Sequence, residues 1–192
     1  MSFEDTIKAH LIDEDDLSRM LSRMAMQIIE YFDPELNPSE TFGLIGMQRR
    51  GVFLARRLRD LIAEEEGVEI PVGVLDANMY RDDFRVRLRQ PEIRMTDILF
   101  DINERHLILI DDVLYTGRTI RSALDALMDI GRPASVRCLV VVDRGLQELP
   151  IKPDIVGRTV PTIPGEEVRV RLSEIDEKDG VWLVNGPNGS TT

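Results

Sequence analysis

The chain is poor in cysteine, histidine and tryptophan: it has one Cys, two His and one Trp in 192 residues. Cys138 cannot form an internal disulfide, and it lies in the apolar run SVRCLVVVD, which suits a reducing cytoplasm. With only His10 and His106 beside that cysteine, a zinc site of ordinary Cys/His spacing is not expected. No stretch approaches the roughly 20 apolar residues of a membrane helix. The opening MSFEDTIKAHLIDEDD is acidic and has no apolar h-region, so no signal peptide is expected. Net positive charge is lacking too. The formal charge of −11 argues against coating generic nucleic acid and leaves room for a local basic patch.

What is present is enough apolar residue for one real core, and the length suggests one domain with a small appendage. Leu17, Met20, Leu21, Met24, Ile28, Ile29 and Phe32 recur at helical spacing in LSRMLSRMAMQIIEYF. Asp13 to Asp16 stand where they can cap that helix and favour its dipole. TFGLIGM reads as a buried strand, GVFLARRLRDLIAEEE as a helix and IPVGVLDANMY as a strand. A polar, arginine-rich segment follows, from Arg81 to Glu104. LILI is a strand, RTIRSALDALMDIG a helix closed by Gly131 and Pro133, and SVRCLVVVD another strand. DIVGRTV, EVRVRL and VWLVN are short late β-pieces that suggest a second lobe, joined by the N-terminal segment. Alternating strands and helices indicate an α/β fold with a mostly parallel sheet, whose sites lie at the carboxyl ends of its strands. Gly46, Asp111 and Asp143 fall on that rim.

The most informative stretch is DDVLYTGRT, residues 111–119. A glycine turn opening a helix offers backbone N–H groups and positive dipole potential, and Thr116, Arg118 and Thr119 add donors. That describes a receptor for a phosphate monoester, without the glycine-to-lysine spacing of a Walker loop. Asp111 and Asp112 can accept from vicinal ribose hydroxyls if the chain turns there; in a regular strand they point to opposite faces. A pair of aspartates alone leaves other readings open: a turn cap beside a solvated strand end, or a Mg²⁺ site. With the glycine turn, the combination indicates ribose 5-phosphate.

DDVLYTGRT resembles the phosphoribosyl pyrophosphate (PRPP) motif of type I phosphoribosyltransferases. With DALMDIGRP, VVDRG and VGRTVPT, the chain more narrowly resembles the PyrR family of pyrimidine operon regulators and uracil phosphoribosyltransferases. The resemblance implies the type I fold over residues 1–186. It implies a mostly parallel sheet flanked by helices, a β-rich hood from the N-terminal segment and about 151–185, a mobile loop at about 80–104 and a loose tail at 187–192. It implies that uracil and PRPP give UMP and pyrophosphate with Mg²⁺, bound mainly through PRPP and pyrophosphate oxygens rather than by metal-ligating residues. Asp111 and Asp112 would hold the ribose hydroxyls, and Thr116, Gly117, Arg118 and Thr119 the 5′-phosphate, with Val113, Leu114 and Tyr115 beside them. Arg49 and Arg50, in the loop from Gly46 to Gly51, would meet pyrophosphate, and Arg81 would approach it from the mobile loop. Tyr115 replaces the aspartate that faces the purine in hypoxanthine/guanine enzymes. Arg144, Val160 and Val168 would border the uracil.

The same resemblance implies UMP-dependent binding of leader RNA from pyrimidine genes, with Arg19, Arg23, Lys152 and Arg158 as candidates. Arg19 and Arg23 also fit the exposed side of an amphipathic helix. Leu146 and Gln147 stand where the family carries His-Arg. A homodimer or homotetramer in the cytoplasm, away from membranes, is implied as well. The alternatives are a UMP-sensing RNA-binding regulator with little catalysis and a phosphoribosyltransferase for another base.

Overall fold

The computed structural model describes residues 6–76 and 96–186. Its centre is a five-stranded parallel sheet in the order β3-β2-β4-β5-β6. The strands are β2 (Phe42–Met47), β3 (Val72–Leu75), β4 (His106–Leu114), β5 (Ser135–Asp143) and β6 (Ile155–Thr159). A second, antiparallel sheet has the order β1-β8-β7, from β1 (Ile7–Ile12), β7 (Glu166–Arg171) and β8 (Gly180–Asn185).

The middle strand explains the layering. Leu107 to Ile110 are fully buried, as expected for a parallel strand covered on both faces. Alternation sends Ile108 and Ile110 to one side, where they meet α1 (Glu14–Ile29) and α3 (Arg50–Glu66) through Met24, Ile28, Leu54 and Leu58. Leu107 and Leu109 go to the other side, against Ile120, Ala123 and Leu127 of α4 (Arg118–Ile130). Val168 and Val170 of β7 and Val181 of β8 join the first of these cores, so the small sheet is packed onto the large one.

The expected helices are in place, as are the expected strands, except that β3 covers only Val72–Leu75 of IPVGVLDANMY and residues 77–80 lie outside the described residues; Asp13 caps α1 by accepting from the Asp16 N–H. The second lobe differs in make-up from the expectation. DIVGRTV forms β6 and pairs in parallel with β5, so it is the edge of the main sheet. The hood is β7 and β8 completed by β1 of the N-terminal segment, a short strand, IKAHLI, in which exposed Lys8 and His10 alternate with more buried apolar residues. The proposed mobile loop up to residue 95 and the tail at 187–192 lie outside the described residues. Asp97 bridges to Val74, and Ile102 is buried with the α4 core residues. Two four-residue helices complete the fold, α2 (Pro38–Thr41) and α5 (Ser173–Asp176). No helix among the described residues is long and apolar enough to cross a membrane.

Gly51 lets α3 start directly on β4, because a Cβ there would run into the Ile110 carbonyl oxygen. Gly51→Ala is therefore expected to destabilise the protein by about 1–3 kcal/mol, the scale of an overpacked contact. Urea denaturation against the parent chain checks this.

Candidate active site at the carboxyl end of β4

β4 does not turn at Asp111 and Asp112; it stays paired with β5 through Leu114. The alternation that buries Leu109 and Ile110 on opposite faces continues into the acids. Asp111 faces the α4 side, in a cavity of about 460 Å³ with Thr116 to Ile120. Asp112 faces the hood side, in a cleft of about 400 Å³ with Arg50 and Asp176. The side chains make up for the absence of a turn. Asp111 Oδ1 accepts from the Asp112 N–H and Asp112 Oδ1 from the Val113 N–H, each at 2.9 Å. Both carboxylates thus curl toward the strand tip and reach one another.

Burial raises the Asp111 carboxyl well above its ordinary range, and the Asp112 charge adds to the effect. Burial raises Asp112 too, opposed by the nearby Arg50 cation. Such a pair is stabilised by whatever donates hydrogen bonds or positive charge to it. A ribose diol does the first; a hard cation such as Mg²⁺, which prefers oxygen ligands, does the second.

Beyond the acids the chain turns sharply. Gly117 takes φ 84° and precedes α4 without a side-chain cap. The Arg118 N–H leans on Thr116 Oγ1 at 3.4 Å, and Thr119 stands in the first turn. The Arg118 guanidinium swings outward to Glu148, with Nε and Nη2 at 3.0 and 2.8 Å from Oε2. So the backbone of Arg118 belongs to the turn while its side chain, in this structure, does not. Leu114 is buried in the core, and only Val113 and Tyr115 beside it are partly open.

A third cavity, of about 360 Å³, lies between the β5 tip and the hood, lined by Tyr115, Arg144, Glu166, Glu167 and Val168. Arg144 is buried and lies 3.9 Å over the Tyr115 ring. It donates to Thr162 Oγ1 at 2.9 Å and to the Glu166 carbonyl at 2.6 Å. Burial lowers its pKa, and the neighbouring acids resist that. Val168 borders this cavity and the Arg50 cleft alike. Val160 is half-buried against the core and donates its N–H to the Asp143 carbonyl.

On the hood side, β2 runs into α3 through a cis Gln48–Arg49 peptide. Arg49 is exposed, whereas Arg50 is half-buried and paired with Asp176. Arg57, seven residues further along α3, grips Ser173, Glu174 and Asp179. Asp176, Arg57 and Glu148 were not legible as site or support residues. Nothing in the sequence pairs SEIDEKD, residues 173–179, with α3. Arg81 lies outside the described residues.

The four basic candidates for RNA do different work. Arg23 donates to the Gly157 carbonyl at 2.6 Å and Arg158 to the Leu11 carbonyl at 2.7 Å, which ties α1, β1 and β6 together. Arg19 is exposed and paired with Asp16, and Lys152 is exposed. Gln147 turns inward, donating to Asp143 Oδ1 at 2.7 Å, while Leu146 is open.

Comparison with known proteins accords with this geometry. The model of the phosphoribosyl transferase domain matches residues 14–175. Proteins named bifunctional protein PyrR are close in sequence. That of Deinococcus radiodurans is 48% identical over 176 residues, covering 92% of this chain and 94% of its own. That of Listeria monocytogenes is 43% identical, covering 91% and 95%. The chain belongs to the PyrR family of phosphoribosyltransferases. Its fold is shared by a Leishmania tarentolae HGPRT-ase solved with GMP, at TM-score 0.70 and 17% identity over 96% of this chain and 99% of that one. It is shared as well by a Trypanosoma cruzi hypoxanthine phosphoribosyltransferase solved with IMP, at TM-score 0.68 and 15% identity over 95% and 92%.

The α3–hood clamp has a defined pH sense. The Arg57 hydrogen bonds hold Glu174 below the usual carboxylate range. For Asp176 and Asp179 burial opposes ionisation, but the bonds from Arg50 and Arg57 outweigh it and both are lowered. Groups depressed in the folded state stabilise it above their unfolded pKa, and that stabilisation is lost as pH falls through the folded value. The hood is therefore expected to loosen below about pH 4. Trp182, buried in β8 and stacked on His10, reports this. Its emission should shift to the red on acidification before far-UV circular dichroism changes, and at higher pH in Arg57→Ala.

Proposed function

We propose that the protein transfers the phosphoribosyl group of PRPP to uracil, releasing pyrophosphate and forming UMP. The observation that carries the proposal is the arrangement at one strand end. A phosphate-type turn, a carboxylate pair and an arginine-bearing cleft surround the end of β4, with an open aromatic–arginine pocket beside them. In this reading the turn at Thr116 to Thr119 receives the 5′-phosphate through its amides and hydroxyls. Asp111 and Asp112 accept from the ribose hydroxyls, and Arg50, with Arg49 and Arg81, faces the pyrophosphate. The bond from the anomeric carbon to pyrophosphate breaks, one to the uracil nitrogen forms, and that nitrogen gives up its proton. The anomeric carbon gains cationic character on the way, so the two carboxylates next to the ribose stabilise it electrostatically. Mg²⁺, carried mainly by PRPP and pyrophosphate oxygens, supplies screening of the departing charge. Uracil lies in the cavity of Tyr115, Arg144 and Val168, with Val160 at its margin. Tyr115 offers a neutral ring face where a purine enzyme has an acid.

Asp111→Asn and Asp112→Asn are expected to lower kcat/KM for PRPP by roughly 10²-fold while thermal unfolding stays near that of the parent. Normal kinetics in both would refute the diol assignment. Initial rates with uracil, hypoxanthine and orotate should favour uracil; preference for a purine would sink the base assignment.

A second activity is proposed with the first: UMP-enhanced binding of leader RNA from the pyrimidine genes. The relatives' name, bifunctional, supports it, and Arg19, Arg23, Lys152 and Arg158 are the candidate contacts. Titration of leader RNA at moderate salt should show tighter binding with UMP than without, weakened by Arg19→Ala. No binding by a sample that still makes UMP would mean that Leu146 and Gln147 mark a lost RNA surface.

A further inference from the structure

Arg50 opens α3 and faces the cleft between the main sheet and the hood, together with Asp112, Arg171 and Asp176. Asp176 meets its guanidinium edge-on: Nε is 3.0 Å from Oδ2 and Nη2 is 2.8 Å from Oδ1. This fork is the geometry in which a guanidinium grips two oxygens of a phosphate. Asp176 is firmly seated. The Leu172 N–H donates to Oδ2 at 3.1 Å, and Arg171 donates to the Asp176 backbone carbonyl at 2.8 Å. Arg57 anchors the flanking Glu174 and Asp179. The protein therefore already carries an anion on the arginine assigned to pyrophosphate.

We infer that Asp176 is an internal stand-in for pyrophosphate, holding Arg50 while the cleft is empty and retaking it as the product leaves. The inference rests on the reading that Arg50 meets pyrophosphate. Two anions cannot occupy the same Nε–Nη2 edge of one guanidinium, and a carboxylate left beside an arriving pyrophosphate repels it. Pyrophosphate carries more charge than a carboxylate and would meet Arg171 as well, whose Nε lies 4.0 Å from Asp176 Oδ1, so it competes with Asp176 for both cations. The return of Asp176 to Arg50 then favours release. Asp176 thereby weakens pyrophosphate binding and quickens turnover. A residue that only positioned Arg50 would have the opposite effect on binding.

The full-length chain is titrated calorimetrically with inorganic pyrophosphate and Mg²⁺, and separately with UMP. Parent, Asp176→Asn and Arg50→Gln are compared. Asp176→Asn should bind pyrophosphate roughly three- to tenfold more tightly, the scale of a half-buried ion pair. It should bind UMP unchanged, because the UMP phosphate goes to the Gly117 turn, and it should show stronger product inhibition by pyrophosphate. Unchanged or weaker pyrophosphate binding in Asp176→Asn, with weaker binding in Arg50→Gln, overturns the stand-in and leaves the Arg50 assignment intact. Pyrophosphate binding untouched by Arg50→Gln overturns both. Should the Asn variant fail to fold, Asp176→Ser is judged by the same outcomes, since its hydroxyl still accepts from the Leu172 N–H.

Discussion

Burial of β4 on both faces governs this molecule. A strand with helices on each side cannot carry polar side chains along its length without leaving them unpaired in the core. Leu107, Ile108, Leu109 and Ile110 meet that demand, and polarity begins only where the strand emerges. Everything chemical then falls at one rim. The acids sit at the tip of β4, Arg50 sits on the turn after β2, and Arg144 follows the end of β5. Close packing fixes how near these come to one another. α3 rests on the Ile110 carbonyl, so the first residue of that helix stands beside the first acids of the strand.

The strand's alternation also separates the two acids' surroundings. Asp111 looks to the phosphate turn and Asp112 to the hood cleft, yet their side chains bend up the strand until each feels the other. A proposed diol receptor is therefore built on a strand that stays paired with β5 beyond the acids. The curl of two short side chains onto their own amides does what a turn would otherwise do.

Most of the α/β frame was legible in the sequence because its signals are local. Helical spacing marked α1, an apolar run marked β4, and DDVLYTGRT marked the rim. The hood was less legible, since its order depends on distant partners. β1 pairs with β8 across most of the chain, and its residues alternate exposed and half-buried with charge among them. β6 looked like a hood strand because its short apolar stretch carries no mark of which sheet it joins. At the site, the sequence pattern singled out Asp111, Asp112, Arg50 and Arg144, and the structure places all four around the same rim. The outward swing of Arg118 to Glu148, the tie of Arg23 to β6 and the grip of Arg50 on Asp176 could not be read in advance. Each is a contact between residues far apart in sequence, decided by packing rather than pattern.

The strand order β1-β8-β7 has a bearing on how the protein comes to be active during synthesis. β8, at residues 180–185, lies between one of the first strands made and β7. A nascent chain can complete its parallel sheet and the phosphate turn while β1 still has no neighbour. Val168 and the Glu166 carbonyl, which line or brace the cavity beside Tyr115 and Arg144, gain their sheet only when β8 has left the ribosome. The cavity beside Tyr115 and Arg144 is thus the last part of the structure that the growing chain completes, and a chain stopped before β8 would hold a folded core without the sheet that borders it.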